Sequence, residues 1–348
     1  MQPALSSDNS LPDTAPGGYL YLVAKAREEL LYGSAGSRSL NLQEHINRHT
    51  TFRMASLSKQ YTAAAVLRAI KEQKLKGADA LKQYWPTLPP AVGDVTVTQL
   101  LNHTSGIIDY ENLLPPTSDT QVTDQAIWAM IQSRGELYFQ PGSRFRYSNT
   151  GYCLLAQLLE TSYAQPFPLL LQRMLFEPGQ LAATVYQRDQ AIAQRAYGFR
   201  KSDTGTIDAD QNITSATQGD GGVYTSLKAY HKWIQLLFSG KLIRGYTRLL
   251  FGSGQSVVQR DVAYHLGWFI SREQDGSPCV FHSGESTGFR HVAYYVPKKK
   301  ILCVLFSNTE GWEQELSDRF EALLHLAKCR PRLRTPLFQW MSRIYTNT

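Results

Sequence analysis

Cysteine is scarce, with four in 348 residues, and charged side chains make up only 19 % of the chain. No apolar run approaches the roughly 20 residues that a helix needs to cross a bilayer. Each shortage excludes something. Cys153, Cys279, Cys303 and Cys329 are far apart and form neither a C-x-x-C pair nor a His/Cys ligand spacing. A structural zinc is therefore not expected, and a disulfide framework is not needed, although one bridge stays open. Without a long apolar run, a membrane-spanning helix is ruled out. With so little charge beside 43 % apolar and 11 % aromatic residues, the chain has the composition of a folded protein rather than a disordered one. Its length fits one large domain or two coupled lobes.

Net positive charge is also scarce over most of the chain. The formal charge is +7, but Lys328, Arg330, Arg332, Arg334 and Arg343 fall in a terminal stretch with no acidic residue. The body is nearly neutral and lacks the basic face that phosphate binding needs, so no nucleic-acid partner is expected. Leu333, Phe338, Trp340, Ile344 and Tyr345 are interleaved with those cations. Two readings of the tail follow: an arm that packs on the body, or a patch for peripheral contact with an anionic membrane. Packing is preferred, because isolated basic amphipathic stretches are weak signals.

Residues 1–18 are polar and lack the basic and apolar segments of a signal peptide. The compartment is left open: periplasmic or secreted if the sequence begins after a removed leader, cytoplasmic otherwise.

Along the chain, residues 19–24 and 29–33 read as a strand, turn and return strand. Residues 56–74 carry Leu57, Tyr61, Ala64, Ala65, Leu67 and Ile70 at three- and four-residue steps, which predicts a helix stopped by Gly77. The Pro- and loop-rich stretch that follows reads as mostly helical. Beyond it come a helix over 227–238, strands over 264–271, 279–282, 291–296 and 301–306, and a closing helix over 313–328. The expected fold class is α+β: an antiparallel sheet from N- and C-terminal segments, flanked by helices, with an inserted mostly helical lobe. The expected division is a disordered tail over 1–16, an α/β lobe over 17–77 and 219–328, a helical lobe over 78–218 and a basic tail over 329–348.

Three short elements can carry chemistry. Ser56-Leu57-Ser58-Lys59 puts a hydroxyl and an amine one helical turn apart, so an amine can activate a serine. A helix start there also favours an oxyanion. Tyr147-Ser148-Asn149 follows the turn Pro141-Gly142, and His282-Ser283-Gly284 closes an apolar strand. Alone, S-x-x-K is a weak signal; the order of the three is specific.

In that order the chain resembles the serine β-lactamase and penicillin-binding-protein superfamily. Its Y-x-N element is similar to the class C branch and to related D,D-peptidases, D-aminopeptidases and esterases. The segments 52–55 (F-R-M-A), 100–106 (L-L-N-H-T-S-G) and 219–226 (G-D-G-G-V-Y-T-S) strengthen the likeness, which spans about 17–328. The resemblance implies Ser56 as nucleophile, Lys59 as its activating partner and Tyr147 as proton shuttle. It implies Asn149 as a ligand of a substrate amide carbonyl, and the backbone N–H groups of Ser56 and Glu285 as the oxyanion hole. A free tyrosine titrates near pH 10, so Tyr147 needs help from Lys59.

The third element departs from K-T-G. A histidine is near-neutral at pH 7 where a lysine is a permanent cation, so attraction for a substrate carboxylate weakens. Among substrate contacts, His282, Ser283 and Gly284 are expected, and Arg290 is a candidate carboxylate clamp that otherwise reads as a solvated strand-end arginine. His103 reads as a structural hydrogen-bonding residue. His45, His49, His265 and His291 have no metal-ligand spacing, and Gly219, Gly221 and Gly222 precede no Gly-Lys-Ser/Thr, so no cofactor or metal is expected. The leading expectation is a serine hydrolase forming an acyl-enzyme on Ser56 and acting on small molecules or peptides, D-amino-acid peptides or esters first. A class C-like β-lactamase and a non-hydrolytic penicillin-binding sensor are the alternatives.

Overall fold

The computed structural model describes residues 16–115, 120–187, 190–203 and 205–346. The tail expected over 1–16 therefore lies almost wholly outside the described residues.

Both ends of the chain build one eight-stranded antiparallel sheet. Edge to edge it runs Glu28–Ser37, Gly17–Lys25, Ile301–Ser307, Phe289–Val296, Pro278–Ser286, Trp268–Arg272, Val262–His265 and Ser256–Gln259. Side chains alternate along each strand. Leu20, Leu22, Val304, Phe306, Ala293 and Val280 enter a core on one face; Val23, Cys303, Leu305, Val292, Tyr294 and Phe281 enter a second core on the other. Strands apolar on both sides must be covered on both sides. The helices Lys59–Lys71 and Leu227–Phe238 contribute to the first core, and the helices Glu313–Leu326 and Leu337–Thr346 to the second.

Two expected elements are corrected. The helix expected over 56–74 is a 3₁₀ turn, Ala55–Ser58, followed by an α-helix over Lys59–Lys71. Ala55 has φ +47° and so cannot extend the helix backward, and Gln73, at φ +59°, ends its last turn. The strand expected over 264–271 is a hairpin, Val262–His265 and Trp268–Arg272. Leu266 and Gly267 both have positive φ, as a two-residue turn of the I′ kind requires. A Cβ at Gly267 would overlap the backbone of Gln60, so this turn is pressed against the Lys59 helix.

Residues 78–218 hold the helices Asp124–Gln132 and Asn149–Tyr163, and also short strands. Of these, Ala183–Val185 pairs with Val223–Ser226, which pairs in turn with Thr51–Arg53. That small sheet ties the segment leading into Ser56 to the one following Gly219-Asp220-Gly221-Gly222. The basic tail packs on the body: Phe338 and Trp340 are buried in the second core. All four cysteines are buried free thiols. Among the described residues, no helix is long and apolar enough to cross a membrane.

Candidate active site

Ser56 sits in the 3₁₀ turn after the strained Ala55. Its neighbours Ala55, Leu57 and Ser58 are buried, while Ser56 itself is half-buried. A left-handed non-glycine backbone costs of order 1–3 kcal/mol and is kept where the surroundings over-determine it. Here the Met54 N–H donates to the Val223 carbonyl and the Val223 N–H to Ser58 Oγ, which pins the turn from both sides.

Lys59 begins the α-helix one turn later and is wholly buried. Its Nζ donates to Ser56 Oγ at 3.0 Å, to Asn149 Oδ1 at 2.7 Å and to the Asp220 carbonyl at 3.1 Å. Burial lowers its pKa; Asp220, Cys153, Asp109 and Glu111 oppose that by attraction but do not cancel it. A lysine so held is closer to being a neutral base than one in water.

Tyr147 precedes the helix Asn149–Tyr163, whose first turn is capped by Ser148 Oγ accepting from the Gly151 N–H. Its ring lies 5.0 Å from Lys59 Nζ and 4.3 Å, centroid to centroid, from His103. Its buried hydroxyl makes no hydrogen bond of regular geometry. Burial, reinforced by Tyr345, drives its pKa well above the ordinary tyrosine value, and proximity to Ser56 offsets this only in part. Tyr147 therefore rests as a neutral phenol. His103 Nδ1 accepts from the Ser148 N–H at 3.1 Å, so His103 holds the Tyr147-Ser148-Asn149 turn, as its reading as a structural residue anticipated.

Asn149 is set by residues that carried no role in the sequence reading. Asp109 Oδ2 accepts its N–H at 2.6 Å, and Asn149 Nδ2 donates to Glu111 Oε1 at 2.8 Å. Beneath Lys59, Asp124 Oδ2 accepts the N–H groups of Gln218 and Gly219 and so fixes the segment whose Asp220 carbonyl meets Lys59. Asp124, Cys153 and Asp220 place their oxygen and sulfur atoms within 4.8 Å of one another. Burial raises the Asp124 carboxyl to about 7 and the Cys153 thiol well above its usual range. A cation would have to displace the protons that burial holds on Asp124 and Cys153, which weakens the cluster as a metal site.

The third element lies on the strand Pro278–Ser286, past the end of its neighbour. Trp268–Arg272 pairs only as far as Phe281, so residues 282–286 are paired on one side alone. Gly284 packs on the Met54 carbonyl, which brings this strand end against the Ser56 turn. His282 has no exposed surface; its ring lies 5.1 Å from Phe269 and 6.0 Å from Tyr147. His282 Nδ1 donates to the Ser283 carbonyl, Nε2 faces the Tyr264 hydroxyl, and burial depresses its pKa to about 3. It is neutral, but buried rather than turned to an open pocket. Ser283 Oγ lies 2.7 Å from the Tyr345 hydroxyl and 3.4 Å from Glu285 Oε1.

Arg290 is not poised as a carboxylate clamp. Nε donates to Glu313, Nη2 to Glu310, and Nη1 to the carbonyls of Ser286 and Phe289. The structure thus brings Ser56, Lys59, Tyr147 and Asn149 together, with Ser283 and Gly284 at the adjoining strand, and turns Arg290 to structural partners. Sequence reading gave Tyr345 no place here, because its only signal was an apolar residue in a basic tail.

Known proteins share this fold and are related to this chain in sequence. Penicillin-binding protein 4* of Bacillus subtilis is 26 % identical over 317 residues, covering 84 % of this chain and 69 % of that protein. A D-aminopeptidase of Brucella anthropi is 26 % identical over 313 residues, covering 87 % of this chain and 58 % of that protein. The chain thus spans about three-fifths to two-thirds of these relatives. Among solved structures, a penicillin-binding protein from Bacillus halodurans superimposes with a TM-score of 0.76 at 24 % identity, covering 87 % of this chain and 95 % of the other. A D-amino acid amidase from Ochrobactrum anthropi does so with a TM-score of 0.76 at 21 % identity, covering 89 % and 94 %. These likenesses establish the fold. With the Beta-lactamase family model matching residues 12–328, nearly the whole chain, the protein belongs to the β-lactamase family of hydrolases.

Proposed function

We propose that this protein is a serine hydrolase that forms an acyl-enzyme on Ser56 and acts on D-amino-acid peptides, amides or esters. The observation that carries the reading is the 3.0 Å hydrogen bond from the buried Lys59 amine to Ser56 Oγ. Once Lys59 has lost a proton of its own, its lone pair accepts from the Ser56 hydroxyl across the same 3.0 Å and takes that proton as Oγ attacks the substrate carbonyl. The new bond joins Oγ to the carbonyl carbon, and the bond to the leaving nitrogen or oxygen breaks. The proton passes through the Tyr147 hydroxyl to that leaving atom, which departs neutral. Water then attacks the acyl ester and gives up a proton to Lys59; the bond between the carbonyl carbon and Oγ breaks, the acid leaves, and the water's proton passes to Ser56 Oγ. The N–H groups of Ser56 and Glu285 hold the negative oxygen; loss of one such donor costs roughly 3 to 4 kcal/mol of transition-state stabilisation. Asn149, anchored by Lys59, Asp109 and Glu111, orients the substrate amide. Support for D-configured substrates comes from the relative named as a D-aminopeptidase.

The test is intact-protein mass spectrometry after incubation with a fluorophosphonate. One adduct on the native protein and none on folded Ser56→Ala is the expected result; undiminished labelling of Ser56→Ala overturns the mechanism.

A further inference from the structure

The C-terminal helix Leu337–Thr346 lies beyond residue 328, where the family match ends, yet it reaches the candidate site. Leu337, Phe338, Trp340 and Met341 bury it on the sheet, with the Trp340 ring edge-on to Phe269 at 5.2 Å and to Phe281 at 5.5 Å. The Leu337 N–H donates to Glu321 Oε1, which ties the helix start to the preceding helix. Phe338, Met341 and Tyr345 follow at steps of three and four, one helical stripe. The first two end in the core. Tyr345 instead ends with its hydroxyl 2.7 Å from Ser283 Oγ and its ring 4.8 Å from that of Tyr147. It thus stands between the third element and the residue that protonates the leaving group.

Resting on the acyl-enzyme reading above, we propose that Tyr345 is a specificity-determining residue. It occupies the leaving-group side of the cleft beside Ser283 and selects small, uncharged leaving groups, such as those of amides and esters, over leaving groups that carry a carboxylate. Two observations support the charge preference besides the space filled. Ser283 shares its hydroxyl with Tyr345 and with the Glu285 carboxyl, neither of them a cation. Arg290, the arginine nearest in sequence, is held by Glu310 and Glu313. A carboxylate entering there displaces the Tyr345 hydroxyl and meets the half-buried Glu285 carboxyl where a cation would be needed to offset its desolvation.

The experiment compares the native protein with Tyr345→Ala and Tyr345→Phe. It measures kcat/KM for D-alaninamide, whose leaving group is ammonia, and for a D-alanyl-D-alanine peptide, whose leaving group is a free amino acid. Tyr345→Ala should raise the peptide-to-amide ratio at least tenfold. Tyr345→Phe, which keeps the ring and loses the hydroxyl, should fall between. A ratio within twofold of native in both variants overturns the proposal, because a merely structural tyrosine changes both substrates together. If Tyr345→Ala does not fold, Tyr345→Phe decides alone by the same ratio. Fluorophosphonate labelling at Ser56 keeps the two failures apart. Labelled proteins with an unchanged ratio refute only the role of Tyr345; absence of labelling in native and both variants refutes the acyl-enzyme reading and this proposal with it.

Discussion

Gly284 lies so close to the main-chain carbonyl of Met54 that a Cβ at position 284 would overlap it. This contact joins the third sequence element to the turn that presents Ser56, two residues beyond Met54. Gly284→Ala should therefore drive the strand end and the turn apart. Overpacking of this kind costs roughly 1–3 kcal/mol. The expected outcome is a lower urea midpoint together with at least tenfold slower fluorophosphonate labelling. Native values of both would show that the contact relaxes freely and does not position Ser56.

Lys59 and Tyr147 act on the proton that leaves Ser56, so their loss should appear in the rate of chemistry rather than in binding. Lys59→Ala and Tyr147→Phe should each lower kcat by roughly 10²- to 10⁴-fold with a much smaller change in KM. Pre-steady-state acylation rates check this directly. A Tyr147→Phe variant that acylates at the native rate would remove Tyr147 from the proton path.

The parts of this site that were legible in the sequence are those in which chemistry and local spacing coincide. Ser56 and Lys59 are three residues apart on one turn, and Tyr147 and Asn149 flank a helix cap, so a short window contains each pair. The two-ended sheet was legible from period-2 apolar runs at both chain ends. The Leu266-Gly267 turn was not, because an apolar leucine at positive φ leaves the hydrophobic pattern unbroken. Asp109, Asp124 and Tyr345 were not legible either. Asp109 meets Asn149 across 40 residues, and Tyr345 meets Ser283 across 62. No local pattern encodes such contacts. Arg290 was misleading for the converse reason: sequence places it near Gly284, but only the fold reveals that Glu310 and Glu313 hold its guanidinium.

His282 departs from the lysine of the K-T-G pattern, and on sequence alone a lysine there would be expected to favour anionic β-lactams. Its burial changes the expectation. The ring is packed among Phe269, Tyr147 and Tyr264 and has no exposed surface. His282→Lys puts an ammonium into that aromatic cluster in place of a neutral ring, and an unpaired buried charge is costly. The expected outcome is a melting temperature lower by several degrees with no gain in cephalosporin hydrolysis. An unchanged melting temperature accompanied by faster nitrocefin turnover would mean that the side chain at 282 reaches the cleft after all.

His291 makes stability depend on pH, and its sign follows from its two hydrogen bonds. Nε2 donates to the Arg53 carbonyl at 2.7 Å, while Nδ1 accepts the Ser307 N–H at 3.3 Å. Only the neutral ring satisfies both, since a proton on Nδ1 would face a donor. Burial accordingly depresses its pKa from the ordinary 6.5 to about 4. Above pH 6.5 both folded and unfolded chains carry a neutral ring, and the contribution is intact. Below 6.5 the unfolded chain binds a proton that the folded chain refuses until about pH 4, so stability falls through that window. At 1.36 kcal/mol per pH unit the loss approaches about 3 kcal/mol. Asp124 works in the opposite sense: its carboxyl is raised to about 7, so its contribution is complete below the unfolded value near 3.8 and is lost as pH rises through 7. The two are separated by substitution. His291→Gln keeps one donor and one acceptor and removes the titration, so its urea-derived stability should change less between pH 7 and pH 4 than that of the native protein. A His291→Gln protein that loses as much stability as native over that range would assign the acid sensitivity to other groups.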